Sequence, residues 1–327
     1  MVDNDGRNSG ARDGSHSGAG NGLTVVAVED TDSARYLASL NACFGGWGGE
    51  RDELLVFHCP FEGLVPARFA LAEDGEWLAG SAVSWRTIAT AQGEPELIGI
   101  MTGSWTVPAA RGRGCFAHII QHSRVLCAAN GARWLLAFVT ETNASRRQLE
   151  RAGSAMVPSW YMWSPEGAVV PDTRSMRLRP VAVTDDLIAE CHARQALQRT
   201  GADRFHYASP ELWRLQFIDR TLPTEMLRDP DLGVVVVENH PEFDRLLTAI
   251  PDRPEMWQDL AVATWARALA SERRFFAYTT QASRHAGLIE RCGLDGIAGF
   301  MMILPAEDGT AATLDIDGWA VESGDRL

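Results

Sequence analysis

A glycine- and arginine-rich turn is the part of this sequence with the clearest chemical potential. It reads Arg111-Gly112-Arg113-Gly114, and a helical pattern begins directly after it, near Cys115. Because glycine permits positive φ and close backbone approach, such a turn can expose several N–H groups. With the positive end of the following helix and two arginine side chains, these groups would suit a phosphate or pyrophosphate. The alternative interpretation is a simple tight turn with solvated arginines.

Other side chains with chemical potential are less organised. His118 and His122 lie four residues apart on one predicted helix face, a spacing that could hold a metal ion, but no third ligand is evident. Trp160, Tyr161 and Trp163 form an aromatic cluster that could line an apolar ligand or simply pack in the core. The six cysteines form no Cys-x-x-Cys pair, so we expect no metal site and reduced thiols, as in a cytoplasmic protein.

Composition excludes several classes of protein. The chain has 327 residues, enough for about two domains, and its 46% hydrophobic and 22% charged residues are typical of a globular protein. All 30 basic residues are arginine, which excludes a Schiff-base lysine and a P-loop. A net charge of −13 disfavours nucleic acid as a partner. No apolar stretch is long enough for a membrane span, and no apolar core follows Met1 as in a signal peptide.

Strand and helix patterns alternate around the turn and predict an α/β fold. Residues 1–22 are rich in glycine and lack aromatics, which predicts a disordered tail. An Asp74-Gly75 turn predicts a hairpin, and the strand after it leads into the glycine-rich turn. In chain order we predict strands at residues 23–28, 68–72, 77–85, 96–107, 134–139 and 156–163, and helices at 34–44, 115–130 and 145–152.

The second half of the chain repeats the first. Val107 and Arg124 correspond to Ile250 and Arg267 at an offset of 143. After a three-residue deletion, the offset is 140 for Ala137, Thr140, Glu150, Arg151 and Gly153, which correspond to Ala277, Thr280, Glu290, Arg291 and Gly293. We therefore predict two copies of one unit, each a twisted mixed sheet flanked by helices, over residues 23–164 and 173–327. The second copy has Pro254-Glu255-Met256-Trp257 in place of the glycine-rich turn, which should not bind a pyrophosphate.

The turn and its surroundings resemble the GNAT superfamily of acyl-CoA-dependent N-acyltransferases. The family signature, Arg/Gln-x-x-Gly-x-Gly/Ala after a central strand, is similar to residues 111–116, preceded by Val107 and Pro108. The resemblance covers roughly residues 24–163 and implies an acyl-CoA donor, with its pyrophosphate on the turn and its pantetheine arm along the central strand. The implied acyl-CoA site comprises Trp105, Thr106, Val107, Arg111, Gly112, Arg113, Gly114, Cys115, Phe116, Thr140, Asn143 and Ser145.

Three departures from the family pattern bear on catalysis. Phe116 stands at the signature's last small position, and Leu149 stands where the family often has a tyrosine general acid. Residues 98–105 of the central strand contain no carboxylate, although the family often has a glutamate base on this strand. The family's strand bulge implies a backbone N–H near Ser104 that binds the thioester carbonyl. For proton removal from the amine we consider Glu141 and His192, together with His206 and Tyr161.

Each candidate base has a structural alternative. Glu141 follows a predicted parallel strand, where open α/β sheets bind ligands, but it could be a solvated loop carboxylate. His192 lies on a predicted helix at residues 185–199 that could cover the first copy's cleft, and it could equally be a surface or core histidine, as could His206. Trp160, Tyr161, Trp163 and His206 are our candidates for binding the acceptor.

The predicted function is transfer of an acyl group, expected to be fatty, from acyl-CoA to an amine. As a whole, this acidic two-copy chain resembles the teicoplanin-type glycopeptide N-acyltransferases, which implies an amino sugar of a glycopeptide pseudoaglycone as acceptor. The alternatives are an acetyltransferase for an aminoglycoside or another small amine, and a non-catalytic acyl-CoA-binding sensor. No metal, nucleic acid or membrane partner is expected.

Overall fold

The structure is a computed structural model. It describes residues 22–44, 61–89, 95–169, 177–198, 204–220, 222–280, 287–308 and 319–326. Nearly all of the predicted tail and part of the predicted link between the copies lie outside these ranges. The predicted α/β class, with a large mixed sheet flanked by helices, is confirmed.

Strands and helices alternate through most of the described chain. The strands are β1 Thr24–Ala27, β2 Ala67–Glu73, β3 Glu76–Ala89, β4 Pro95–Thr106, β5 Trp134–Thr140, β6 Ala155–Trp163, β7 Arg179–Pro180, β8 Arg204–His206, β9 Thr224–Asp229, β10 Gly233–Asn239, β11 Phe243–Pro251, β12 Arg274–Thr280 and β13 Asp295–Pro305. The α-helices are α1 Ser33–Phe44, α2 Cys115–Ala129, α3 Ala144–Arg151, α4 Asp185–Gln198, α5 Pro210–Phe217, α6 Trp257–Ala270 and α7 Leu288–Cys292. The hairpin between β2 and β3 turns at Asp74 and Gly75, as predicted.

One sheet runs through both predicted copies. Its order is β1-β2-β3-β4-β5-β13-β6-β12-β11-β10-β9-β7, and β8 pairs with the far end of β3. The last strand of the second half, β13, therefore lies between β5 and β6 of the first half. In turn β6 pairs with β12 of the second half. Each half thus completes the sheet of the other, and the boundary predicted between the copies stays a prediction.

The exchange of strands is close to symmetric. At the offset of 140, Ser159 corresponds to Gly299, and these two residues face each other in the antiparallel β6–β13 pair. The central strands match too. An extra residue bulges β4 between Thr102 and Trp105, and another bulges β11 between Leu246 and Thr248. The strand pairing and the two bulges therefore follow the internal repeat read from the sequence.

Helix α2 shows why the glycine-rich turn is held firmly against the sheet. Its buried residues, Cys115, Ile119, Ile120 and Cys127 among them, form one apolar face that packs over β3 and β4. The sulfur of Cys127 packs so closely on Gly99 of β4 that a Cβ there would lie 2.4 Å from it. This packing fixes the start of α2 beside the end of β4.

Candidate functional site

A gap opens in the sheet between β4 and β5. The two parallel strands pair only at Ile98, Gly99 and Ile100, and their ladder ends there. Beyond that point lies a cavity of about 260 Å³, lined by Met101–Ser104 from β4 and Ala137–Val139 from β5. Strands that diverge leave backbone N–H and C=O groups without strand partners, which can bind an extended ligand.

The cavity passes through the sheet from one face to the other. Val139 pairs with Phe300, and Arg146 of α3 lies over the Phe300 ring at 4.6 Å, so α3 covers the face to which Val139 points. Phe138 points to the opposite face, because strand side chains alternate, and there it packs edge-on against Tyr278 at 5.7 Å. The cavity therefore has one end beside α2 and α3 and another end beside Phe138.

The glycine-rich turn directly precedes α2, whose residue Phe116 lines the first end of the cavity. Gly112 and Gly114 have φ of +82° and +79°, and a Cβ at either would meet nothing within 4 Å. Gly114 is the N-cap of α2 and has no side chain to satisfy the helix's first N–H groups. Phe116, the second residue of α2, lines the cavity. The open turn thus presents backbone donors and a helix terminus, as an anion site requires.

The two arginines of the turn have different surroundings. Arg113 makes a two-pronged ion pair with Glu73 of β2, at 2.7 and 2.9 Å. Arg111 is exposed and donates only a long bond from Nε to the Thr106 carbonyl oxygen, 3.5 Å. Among the described residues no carboxylate pairs with Arg111. Arg111 is therefore the cation available to a ligand on the turn, whereas Arg113 would first have to leave Glu73.

Solved structures with this architecture were found by comparison of folds. A GCN5-related N-acetyltransferase from Anabaena variabilis matches with a TM-score of 0.60 and 14% identity, over 87% of this chain and 73% of that chain. One from Sphaerobacter thermophilus matches at 0.58 and 15%, over 90% and 99%. A tandem GNAT protein from the clavulanic acid biosynthesis pathway matches at 0.59 and 12%, over 88% and 99%.

This chain has the GNAT fold. The last of these matches spans a tandem GNAT protein almost completely, which agrees with the two copies seen here. No protein-family model and no curated protein matches the sequence. Because the identities are low, the comparison establishes the fold and not the reaction.

At the bulge of β4, Ser104 of this strand meets Ser81 of the neighbouring strand β3. The hydroxyls of Ser104 and Ser81 are 2.7 Å apart, and the Ser81 hydroxyl also lies 3.2 Å from the Thr102 carbonyl oxygen. A hydroxyl has one proton, so when Ser81 donates to that carbonyl, Ser104 donates to Ser81. The Ser104 oxygen, which lines the cavity, then has a lone pair left to accept a bond from an amine. Gly103 beside it has φ +55°, a conformation that the bulge requires.

The residues around the end of β4 that are predicted to bind acyl-CoA can meet a ligand through their backbone. Their side chains differ in exposure. Trp105 is 2% exposed and packs on Tyr36 and Gly80, so it can meet a ligand only through its backbone. Cys115 is also buried. Thr106 pairs with Ala79, which leaves its other edge facing the gap. Val107 is part-buried at the end of β4, where its N–H donates to the Leu78 carbonyl oxygen.

The second predicted motif lies at the start of α3. Asn143 caps this helix, with its side-chain oxygen accepting a bond from the Ser145 N–H at 2.9 Å. Both residues line the cavity, whereas Thr140 is half-buried at the end of β5, just outside the lining. Leu149, on the same helix, also lines the cavity. An aliphatic side chain therefore stands at the position where the family often has a tyrosine.

The predicted bases do not line the cavity. Glu141 is exposed and lies 3.7 Å from Arg146. His192 is on α4, which packs on α5 and β11 rather than on the first copy's gap, and its Nε2 is 2.6 Å from the Tyr207 carbonyl oxygen. His206 is on β8, where burial lowers its pKa. Their roles in proton transfer stay predictions.

The predicted acceptor residues on β6 are split between two faces. Tyr161 and Trp163 pack on one side with Phe276, at 6.5 and 4.5 Å, whereas Trp160 packs into the core of the second half. They do not form one continuous wall, because neighbours in a strand point to opposite faces. Burial raises the pKa of the Tyr161 phenol, which therefore holds its proton at neutral pH.

Sequence reasoning missed Arg326. This residue lines the cavity at the end marked by Phe138, and its guanidinium lies over the ring of Tyr161 at 4.7 Å. In the sequence, Arg326 is a charged residue in a segment with no recognisable motif. Its position relative to residues 101–104 gives no indication that they lie close together in the fold.

The gap of the second copy is filled by the chain itself. The segment 319–326, which we call the plug, lies between β11 and β12, with Trp319 and Val321 fully buried. It bonds to Tyr278, whose N–H donates to Ser323 Oγ at 2.6 Å, and it pairs with Thr279. These β12 residues correspond to Phe138 and Val139 of the first copy. The plug therefore occupies the counterpart of the open cavity.

Two further observations concern partners. None of the described helices is long and apolar enough to cross a membrane. Within the described ranges no group of three His, Cys, Asp or Glu residues could hold a metal ion. His122, one of the two histidines considered for such a site, packs edge-on against Phe69 at 4.6 Å instead.

Proposed function

We propose that this protein is an acyl-CoA-dependent N-acyltransferase whose donor binds in the first copy. The observation that carries the proposal is the cavity that crosses the sheet where β4 and β5 part. One of its ends adjoins a glycine-rich helix terminus with a free arginine, Arg111. An elongated ligand with phosphates at one end and a reactive group at the other matches this arrangement. Coenzyme A thioesters have that form.

The residues around the cavity suit direct transfer of the acyl group from the thioester to the amine. The nitrogen lone pair of a neutral amine attacks the thioester carbonyl, the C–N bond forms, and the C–S bond breaks with its electron pair on sulfur. The amine loses one proton, and the thiolate gains one. The bulge beside Ser104 supplies backbone N–H groups for the carbonyl oxygen, and the Ser104 oxygen can accept a bond from the amine.

Several of the side chains that line the cavity are apolar, which supports an acyl group longer than acetyl. Phe44, Met101, Phe116 and Leu149 are among these side chains. We therefore propose a fatty acyl donor. For the acceptor we propose an amino sugar on a glycopeptide scaffold, supported by the tandem arrangement and the net charge of −13, which favours a neutral or cationic partner.

The non-catalytic alternative also has an observation in its favour. Among the described residues that line the cavity, none is Asp, Glu or His. A sensor would bind acyl-CoA and release no free thiol with any amine. An acetyltransferase for small amines would accept aminoglycosides and refuse glycopeptide pseudoaglycones.

The test is thermal unfolding with coenzyme A and with acyl-CoAs from acetyl to decanoyl. A ligand that binds only the folded state raises Tm according to its concentration relative to Kd. We expect a rise in Tm with coenzyme A that grows with acyl-chain length. An equal rise for all chain lengths would contradict the fatty donor, and no rise with any of them would contradict the function as a whole. Thiol release in the presence of amines then separates the enzyme from the sensor.

A further inference from the structure

Arg326, which has no carboxylate partner among the described residues, lines the far end of the cavity. The guanidinium carbon of Arg326 lies 4.4, 4.7 and 5.5 Å from the ring centroids of Tyr278, Tyr161 and Phe138. Its Nε is buried and has no hydrogen-bond partner in the part of the chain that the structure describes. Aromatic faces stabilise a cation, but they leave its N–H donors unused.

Two other arginines in this region have a buried carboxylate as partner. Arg245 and Arg220 both pair with the buried Glu238, at 2.8 and 2.7 Å. Arg326 is close enough to Arg245 to help lower its pKa, which falls to about 10 mainly because of burial. Within the described parts of the chain, Arg326 pairs with no carboxylate. A part-buried cation in this position favours an anion, because desolvation strengthens the interaction.

The plug holds Arg326 in place. Its carboxylate Asp325 accepts a bond from the Tyr207 hydroxyl at 2.8 Å, and its Gly324 carbonyl accepts one from Gln216 Nε2 at 2.5 Å. Gly324 packs so tightly that a Cβ there would lie 2.4 Å from Phe217. The backbone next to Arg326 is therefore fixed before any ligand arrives, which lowers the entropy cost of binding.

The place of Arg326 indicates which substrate it meets. The glycine-rich turn and the cap of α3 lie at the opposite end of the cavity, and Ser104 lies on the strand between the two ends. A donor that enters past the turn brings its carbonyl to the bulge from one side. The amine must then approach from the side of Phe138 and Arg326.

We propose that Arg326 binds a carboxylate carried by the amine acceptor, so that the acceptors of this protein are amino acids or larger amines with a carboxylate within reach. The inference rests on the proposed function and names the acceptor class of the same site. A guanidinium can hold a carboxylate through two parallel N–H···O bonds, which fixes direction as well as distance. The bound carboxylate would orient the amine toward the bulge at Ser104.

The test uses product analogues, so it needs no turnover. Calorimetry on the CoA-saturated protein compares N-acetylated ω-amino acids, from N-acetylglycine to N-acetyl-6-aminohexanoate, with the corresponding amides. At one chain length or more, we expect the carboxylate to bind at least tenfold tighter than its amide. In R326Q this preference should fall to about onefold, and in R326K part of it should remain. R35Q is the matched control, because Arg35 also lies over an aromatic ring, Trp77 at 4.2 Å, but is exposed on α1.

The outcomes separate this inference from the proposed function. If coenzyme A binds and no carboxylate is preferred, or if the preference survives in R326Q, the assignment of Arg326 is wrong. If R326Q instead loses a preference for succinyl-CoA over acetyl-CoA, the anion belongs to the donor, and the acceptor assignment is also wrong. Failure of coenzyme A to bind would overturn the proposed function itself. Melting temperatures of the variants show whether each one folds.

Discussion

At the scale of single residues, the two arginines of the glycine-rich turn differ in their partners. Arg111 has no carboxylate partner among the described residues, whereas Arg113 is held by both oxygens of Glu73. Sequence analysis treated the two as equivalent, since both belong to the same four-residue motif. Their difference depends on β2, which is some forty residues away in the chain and reaches Arg113 only through the fold.

We expect R111Q to weaken coenzyme A binding about tenfold and R113Q to weaken it less than about threefold. A lost charge-assisted hydrogen bond costs about 1.5–3 kcal/mol, and solvent exposure reduces this for Arg111. Calorimetric titration with coenzyme A measures both variants under the same salt concentration. Equal losses in the two variants would show that Arg113 leaves Glu73 when the ligand binds.

The cavity lining predicts an unusual pH dependence. Since no described lining residue is Asp, Glu or His, and burial raises the pKa of Tyr161, no enzyme base is evident that titrates near neutral pH. We expect kcat/KM to rise with pH until the acceptor's own ammonium group has lost its proton. The apparent pKa should therefore differ between two acceptors of different basicity. The same apparent pKa for both acceptors would point to a base on the enzyme.

At the scale of elements, the conformation of Gly114 decides whether the turn can bind a phosphate. The second copy has Trp257 at the corresponding position, where α6 begins. In the first copy φ is +79° and the space around Gly114 is open, so the backbone can meet a ligand directly. A side chain there would both strain the turn and cover its N–H groups.

G114W should abolish coenzyme A binding. The matched control is G131W, because Gly131 also has positive φ, at +76°, and open space around it, but lies beyond the other end of α2. Both variants carry a similar backbone strain, so their melting temperatures should fall by similar amounts. Calorimetry then distinguishes them: G131W should keep its affinity within about twofold. Retained affinity in G114W would contradict the phosphate site.

Most elements of the first half were predictable, and their pairing was not. Periodicity and turn residues predicted the strands up to β6 and the helices α1, α2 and α3 within a few residues, because these signals are local. The order β5-β13-β6 depends on partners that are more than 100 residues apart, and no local pattern encodes it. For the same reason the sequence showed a degenerate turn in the second copy but not the plug that fills its gap.

At the scale of the whole molecule, the exchanged strands make the halves depend on each other. Without the second half, β5 loses β13 as its partner along its full length, and β6 loses β13 on one side and β12 on the other. Long exposed strand edges of this kind lead to aggregation. Neither half should therefore fold alone.

We expect residues 1–169 and 170–327 to be insoluble when they are produced separately and to form a 1:1 complex when they are produced together. Size-exclusion chromatography and circular dichroism measure this. The complex should also bind coenzyme A, because the cavity and the turn would both be intact. A soluble first half that binds coenzyme A without the second would contradict the dependence. An intact chain with a protease site inserted at residues 170–176 is the control, and it should keep its Tm after cleavage.

The near-symmetric pairing of Ser159 with Gly299 has a consequence for how such a molecule can change over evolutionary time. In a symmetric pair of identical chains, every substitution appears in both binding sites at once. One site therefore cannot lose its ligand while the other keeps it. Joining the two copies in one chain removes that restriction. In the second copy the plug can fill the gap between β11 and β12. The same segment can then place Arg326 in the cavity of the first copy.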